Sequence, residues 1–199
     1  MPIIKVKKTK EYIYAIWKIT ENNETLLQEL NPNQLEIRQL NKISHLERKS
    51  QSIAAKLTLN KLAQKKITIL YKNQIPYCKK YSNISISHSD SYSIVLISKK
   101  NIGIDLQKEK EKLKNIKIKF LNEKEKNINY SINELHYIWT SKEAIYKTLK
   151  GLKCSFKENI FLENKMKTGY YITDKKKIEF DLEIKKINKL YLTIAKQKQ

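Results

Sequence analysis

Three side chains in the second half of the chain could take part in a site for a divalent cation and a diphosphate: Asp105, Glu143 and Lys147. Asp105 lies in the segment GIDLQ, which follows two segments of alternating apolar and polar residues. Glu143 and Lys147 are one helical turn apart in the segment WTSKEAIYK, so a helix places them on the same side. Two carboxylates from different elements, together with a diphosphate, can complete a site for Mg²⁺.

Each of these residues also has an ordinary structural explanation. Glu143 and Lys147 could form a surface ion pair worth about 0.2–0.5 kcal/mol. Asp105 could form a turn at the end of a strand, and the local sequence favours neither explanation. His88 follows Ser87 in the segment ISISHS, where a protonated imidazole and a hydroxyl could contact an anion. No Walker A loop and no glycine-rich dinucleotide motif is present, and a zinc site is not expected.

The elements that must position these residues follow from periodicity and turn signals. We predict a strand over 11–19, a short helix in NETLLQEL, and a longer helix opened by a capping box at Ser44–Glu47. A hairpin over 83–98 and a third strand in NIGIDLQ come next. Spacing of apolar residues then indicates a helix within 108–127. The helix that carries Glu143 is predicted from about Asn133 to Lys150, ending at Gly151.

The predicted elements indicate an α+β protein. Three further strands are predicted at the end of the chain. With them, the parts 1–100 and 101–199 each contain a helix and a strand meander. No repeat of residues and no linker rich in Pro, Gly or Ser accompanies this order, and we therefore predict two similar halves that share structure and not sequence.

Composition is dominated by a formal net charge of +21, which raises the possibility of a nucleic-acid partner. All but two of the 41 basic residues are lysine, whereas base and phosphate recognition favour arginine. Lys, Ile and Asn all have AT-rich codons, so codon drift explains the charge equally well. We expect no nucleic-acid partner and no transmembrane segment. Isolated Cys78 and Cys154 and the lack of a signal peptide predict a cytoplasmic protein.

The order of the segments ISISHS, GIDLQ and WTSKEAIYK resembles the signature of the surfactin-synthetase-activating (Sfp-type) 4′-phosphopantetheinyl transferases. That family shows a serine–histidine pair on a strand, then G-[IV]-D-x-E, then W-x-x-K-E-A-x-x-K on a helix. The third motif is matched at every defining position from Trp139 to Lys147. Weaker similarity extends to WKITENNETLLQEL and ERKSQSIAAK, so the resemblance spans most of the chain.

The resemblance implies a fold and a reaction. The fold is an intramolecular pseudo-dimer of two similar α/β halves, with the active site and coenzyme A in the cleft between them. The reaction transfers the phosphopantetheine arm of coenzyme A to a serine of an apo acyl or peptidyl carrier protein, and it releases adenosine 3′,5′-bisphosphate. Fatty acid, polyketide or peptide synthesis could supply the carrier, and a monomer is expected.

The resemblance also implies roles for particular residues. Asp105 and Glu143, with Gln107, would bind Mg²⁺, and Glu143 would also act as the base for the incoming serine. Lys147 would neutralise phosphate charge. The residues expected to bind coenzyme A are Ser87, His88, Arg48, Lys49, Lys142 and Lys147.

The sequence departs from the family pattern at two positions. Gln107 stands where the family usually has glutamate, which removes one negative charge from the metal site, and Ile75 replaces a lysine before Pro76. We expect weaker metal affinity with the chemistry retained. Two alternatives stay open at this point: a non-catalytic relative that binds coenzyme A or a carrier protein, and a basic nucleic-acid-binding protein.

Overall fold

The computed structural model describes residues 2–163 and 165–198. Its contacts divide the chain into two compact units, Met1–Lys100 and Asn101–Gln199. Within each unit, an antiparallel sheet packs against one long helix. Helices and antiparallel strands therefore occur together in both units, which agrees with the predicted α+β class.

The first unit has a four-stranded sheet in the order β1-β2-β6-β5, in which all neighbours are antiparallel. Its elements in chain order are β1 (Ile3–Lys8), β2 (Tyr12–Lys18), α1 (Asn23–Leu30), α2 (Gln34–Asn41), α3 (Leu46–Ala63), β3 (Leu70–Lys72), β4 (Ile75–Tyr77), β5 (Asn83–Ser89) and β6 (Tyr92–Ser98). Strands β3 and β4 form a separate hairpin. The core lies between α3 and the sheet, where Leu59 and Val95 are fully buried.

The second unit has a five-stranded antiparallel sheet in the order β7-β11-β10-β9-β8. Its elements in chain order are β7 (Ile102–Lys108), α4 (Leu113–Ile116), a 3-10 turn (Lys117–Lys119), α5 (Glu123–Lys126), α6 (Ile132–Thr148), β8 (Ile160–Glu163), β9 (Thr168–Thr173), β10 (Lys176–Ile187) and β11 (Leu190–Gln197). Helix α6 packs on β7 and β11, and its buried Ile145 lies in the same core cluster as Phe180.

Local interactions define both ends of α6. The Ser131 hydroxyl accepts a hydrogen bond from the Glu134 N–H, while the Glu134 carboxylate accepts one from the Ser131 N–H at 2.8 Å. This reciprocal capping satisfies amides that have no partner inside the helix. The chain leaves the helix near Gly151, whose φ of 90° suits glycine. The predicted helix of 133–150 is therefore confirmed to within two residues at each end.

Other predictions had mixed outcomes. Helix α1 coincides with NETLLQEL, and the predicted hairpin is formed by β5 and β6. The capping box at Ser44 is wrong, because α3 has His45 at its N-cap position and no side-chain cap there. The segment 108–127 is not one helix but two four-residue helices joined through a 3-10 turn. None of the helices in the described part of the chain has the length and apolar character needed to cross a membrane.

Candidate phosphate-transfer site

Asp105 lies in the middle of β7, at the edge of the second unit's sheet. It pairs across the strands with Thr193 of β11, and only 4% of its surface is exposed. A carboxylate this deeply buried requires a cation or hydrogen-bond donors nearby. The alternative explanation of Asp105 as a residue of a turn is therefore wrong.

Lys147 of α6 supplies that cation. Its Nζ donates to Asp105 Oδ1 at 2.6 Å and to the backbone carbonyl of Ile104 at 3.0 Å. The Lys147 side chain is 22% exposed, so it is not completely enclosed by the protein. Because a strand and a helix that are distant in sequence each contribute one partner, this pair is not the local surface pair considered above.

Glu143 lies one turn before Lys147 and is partly buried. Its pKa is raised to about 7, chiefly because burial disfavours the charged carboxylate and secondly because Asp105 is a negative neighbour, while Lys147 opposes the rise. Two acids thus share one lysine. The site holds more negative charge than Lys147 neutralises, which is the condition that favours an added cation.

The donor set fits Mg²⁺. Mg²⁺ prefers oxygen ligands and is commonly held by one or two carboxylates, with waters and substrate phosphates completing its octahedron. Asp105 and Glu143 supply two such carboxylates, and their excess negative charge would be relieved by a divalent ion. In residues 2–163 and 165–198, no group of three or more His, Cys, Asp or Glu side chains is placed to hold a metal. The pair would therefore need oxygens from substrate or water.

Gln107 lies two residues after Asp105 on β7, so both side chains point to the same side of the strand. Its amide nitrogen donates to the Lys108 carbonyl at 3.2 Å. The Gln107 side chain is partly exposed, and its carbonyl oxygen is a neutral ligand for a hard cation. A contribution of Gln107 to a metal site stays a prediction.

The close approach of β7 to α6 depends on Gly103. A Cβ atom at this position would lie 2.0 Å from the Ala144 carbonyl oxygen and 3.0 Å from Thr148 Cγ2. Glycine therefore lets the strand backbone touch the helix backbone, and this contact brings Asp105 within reach of Lys147. This packing explains the glycine of the segment GIDLQ.

Replacing Gly103 with alanine is expected to destabilise the protein by about 2–3 kcal/mol, since the obstructing atom is backbone and cannot rotate away. Chemical denaturation would measure the change. Gly169→Ala is a suitable control, because a Cβ there would meet the tip of the flexible Ile145 side chain at 2.5 Å. Equal effects of the two substitutions would show that helix–strand contact at Gly103 is not special.

Lys142 does not face this site. It is fully buried, and its Nζ donates to Glu125 Oε2 at 2.6 Å, to the Phe120 carbonyl at 2.7 Å and to the Phe156 carbonyl at 3.2 Å. Three acceptors use all three N–H donors of an ammonium group. No donor is left for coenzyme A, and we assign Lys142 the structural role of joining α6 to the segments before and after it.

His136 anchors the other end of α6. Its Nδ1 lies 2.7 Å from the Ile132 carbonyl and its Nε2 accepts from the Lys110 N–H at 3.0 Å, so the neutral ring with a proton on Nδ1 satisfies both contacts. The ring also stacks on Tyr191 at 4.3 Å between centroids. Burial lowers the pKa of His136 below its usual value. Protonation would remove the acceptor at Nε2.

We expect His136 to reduce stability in acid. Because the pKa of His136 is lower in the folded protein, the unfolded chain takes up a proton first as the pH falls. The contribution of His136 to the free energy of unfolding is therefore complete above about pH 6.5, and it is lost as the pH falls through the folded pKa. Denaturation at pH 7.5 and 5.5 should show a smaller pH-dependent loss in His136→Gln than in the wild-type protein. His45→Gln, at an exposed position, should keep the full loss. An unchanged loss in His136→Gln would contradict this assignment.

The remaining predicted residues lie in the first unit. Ser87 and His88 are consecutive on β5, where Ser87 is buried and His88 exposed, so they point to opposite faces of the sheet. Arg48 is exposed and Lys49 partly buried in the first turn of α3. Gln51 Nε2 donates to the Asp90 carbonyl at 2.7 Å, which ties that end of α3 to the β5–β6 turn. All four residues therefore lie toward one end of this unit.

Some contributors were missed by sequence reasoning. Thr193 pairs with Asp105, and its hydroxyl lies 2.8 Å from that of Thr140 on α6, so a buried pair of hydroxyls lies beside the acid. Glu125 and Phe120 hold Lys142. The local signal of close packing in this region is the glycine of GIDLQ, because the chain has only three glycines.

The protein has an α+β fold, and two carboxylates and a lysine lie together in its second unit. No protein-family model matches the chain. A search of curated proteins likewise finds no significant match. The chain's own residues, and the motif resemblance that they carry, are therefore the basis for assigning a function.

Proposed function

We propose that this protein is a Mg²⁺-dependent 4′-phosphopantetheinyl transferase that modifies a serine of an apo carrier protein. The observation that carries the proposal is the ion pair between Lys147 and Asp105, which are 42 residues apart in sequence, with Glu143 in electrostatic contact with both. These are the residues that the second and third motifs of the resemblance single out. Their convergence is what a shared diphosphate site requires.

The properties of Glu143 suit a general base. With a pKa of about 7 it is substantially ionised at neutral pH, yet it is a stronger base than an ordinary carboxylate. In the proposed step the carrier serine oxygen attacks the phosphorus that bears the pantetheine arm, and the phosphorus–oxygen bond to the nucleotide breaks. Glu143 takes the serine proton directly or through a water, and adenosine 3′,5′-bisphosphate leaves with the bonding electron pair.

The other residues stabilise charge in this step. Lys147 is oriented by Asp105 and Ile104, and from this position its ammonium group would interact with a phosphate. Asp105 and Glu143, with Gln107 on the same side of β7, are the residues that would hold Mg²⁺. When bound, the ion supplies positive charge against the diphosphate of coenzyme A.

The first unit is proposed to bind the nucleotide of coenzyme A. Arg48, Lys49 and His88 supply basic groups toward one end of this unit, and Ser87 supplies a hydroxyl. Arg48 is one of only two arginines in the chain, and guanidinium groups suit phosphate recognition. The pseudo-dimer arrangement and the cleft that would hold coenzyme A remain predictions from the resemblance, as do a monomeric state and a cytoplasmic location.

The direct test is transfer from coenzyme A to an apo acyl carrier protein in the presence of Mg²⁺, followed by mass spectrometry. The carrier should gain the mass of one phosphopantetheine group, and a chelator or a carrier without its acceptor serine should prevent the gain. A carrier of fatty acid synthesis is the first choice, and carriers of peptide and polyketide synthesis follow. No transfer to any of these carriers would overturn the proposal.

Gln107 motivates a second candidate, a non-catalytic relative that binds coenzyme A or a carrier. Its neutral side chain replaces the glutamate expected from the resemblance and lies beside Asp105. This candidate predicts that calorimetry detects coenzyme A binding without transfer, and that Gln107→Glu gains large activity. The transferase proposal predicts measurable activity in the wild-type protein and a modest gain in Gln107→Glu through tighter Mg²⁺ binding.

A further inference from the structure

A concave site lies in the first unit, at the end of α3 that is distant from Arg48. The pocket has a volume of about 560 Å³, within the range of ligand-binding cavities. The segment that follows α3 and the N-cap of α2 form much of its wall. We call it the lysine pocket, and it is lined by Asn33, Leu35, Lys65, Lys66, Ile67, Thr68, Leu70, Lys79 and Lys80.

The charge of the lysine pocket is unusual even for this chain. Four of its nine lining residues are lysines and none is acidic, although the whole chain has one acidic residue for about every two basic ones. The nearest acid in sequence, Glu36, is fully buried and interacts electrostatically with buried Lys56. The positive charges of the pocket are therefore not balanced by a carboxylate in its wall.

The polar groups of the lysine pocket are mainly donors. Lys66 Nζ donates to the Asn31 carbonyl, whereas the ammonium groups of Lys65 and Lys79 have no ion pair or hydrogen bond in the part of the chain described. Thr68 Oγ1 accepts from Asn33 Nδ2 at 2.9 Å, which leaves the Thr68 hydroxyl hydrogen available to a ligand. A wall that offers cations and a hydroxyl donor is complementary to an anion.

Apolar side chains complete the wall. Ile67 is buried, while Leu35 is 45% exposed. Leu70 is partly buried. An inorganic anion alone would leave the exposed parts of Leu35 and Leu70 in contact with water, whereas a ligand with a ring or a short chain would cover them.

We propose that the lysine pocket binds a small phosphorylated molecule that also has an apolar part, such as a nucleoside diphosphate. Lysine ammonium groups bind the phosphates as point charges, the Thr68 hydroxyl donates to a phosphate oxygen, and the apolar part contacts Leu35 and Leu70. None of the pocket's lining residues is among those proposed for transfer or for binding coenzyme A, so the proposal does not rest on the transferase activity.

The test is a titration of the full chain with adenosine diphosphate, followed by NMR of backbone amides. Saturable shifts are expected at Ile67 and Thr68, and inorganic pyrophosphate should bind the same amides more weakly. Lys65→Gln/Lys79→Gln should weaken binding about tenfold or more, because two of four ammonium groups are removed. Lys10→Gln/Lys175→Gln, which removes two exposed lysines elsewhere, is the matched control.

Several results would overturn the proposal. These are the absence of saturable shifts over 65–70, equal weakening by the two double variants, and equal affinity for pyrophosphate and adenosine diphosphate. Melting temperatures should show that both double variants stay folded. Transfer activity should be unchanged in Lys65→Gln/Lys79→Gln. Failure of this proposal would therefore appear in the binding titration, and failure of the transferase proposal would appear in the transfer assay.

Discussion

Replacing Glu143 with glutamine is expected to reduce phosphopantetheine transfer by about 10²-fold or more. Glutamine keeps the shape of the side chain but cannot accept a proton at neutral pH, and it removes one of the two negative charges expected to hold Mg²⁺. The loss should appear in kcat with saturating coenzyme A and carrier protein. Glu158→Gln, at an exposed position in the same unit, should retain full activity.

The same substitution should make the protein more stable above pH 7. The folded pKa of Glu143, about 7, lies above the ordinary value, so its favourable contribution is complete below the unfolded pKa and is lost as pH rises through the folded pKa. Without divalent ions at pH 8, Glu143→Gln should therefore unfold at a higher temperature than the wild-type protein. Lower stability together with lower activity would indicate a structural role for Glu143 and would contradict the catalytic one.

Replacing Lys142 with methionine is expected to destabilise the protein by about 3–5 kcal/mol. The substitution leaves the Glu125 carboxylate without its cation and removes a donor from the carbonyls of Phe120 and Phe156. The segments that these carbonyls belong to should loosen from α6. Chemical denaturation would measure the free energy of unfolding, and hydrogen exchange would show which amides lose protection.

Two further variants separate the charge from the packing of Lys142. Lys142→Met/Glu125→Gln should be less destabilised than Lys142→Met, because the uncompensated charge is gone. Lys126→Met removes a lysine of an exposed ion pair with Glu123 and should have little effect. If Lys142→Met and Lys126→Met had similar effects, or if Lys142→Met chiefly weakened coenzyme A binding, the structural assignment of Lys142 would be wrong.

Much of the site could be predicted because helical periodicity is local. The spacing of Glu143 and Lys147 places them on one side of any helix, and the Gly151 signal lies close to the end of α6. The partner of Lys147 could not be predicted from local periodicity. Its contact with Asp105 depends on the packing of α6 against β7, which only the motif resemblance suggested before the coordinates showed it.

Lys142 shows why local sequence was insufficient elsewhere. It stands between Ser141 and Glu143 in a motif of polar residues, and nothing in its neighbours indicates that it is fully buried. Its acceptors are a carboxylate and two backbone carbonyls from segments on either side of α6. Backbone carbonyls have no signature in a sequence, so such a network becomes visible only in three dimensions.

The central claim is that Asp105 and Glu143 hold one divalent ion together with the diphosphate of coenzyme A. Electron paramagnetic resonance of Mn²⁺, used in place of Mg²⁺, measures this binding without requiring turnover. The account predicts one bound Mn²⁺ per chain when coenzyme A is present, and loss of that binding in both Asp105→Asn and Glu143→Gln. Unchanged Mn²⁺ binding in folded samples of both variants would contradict it.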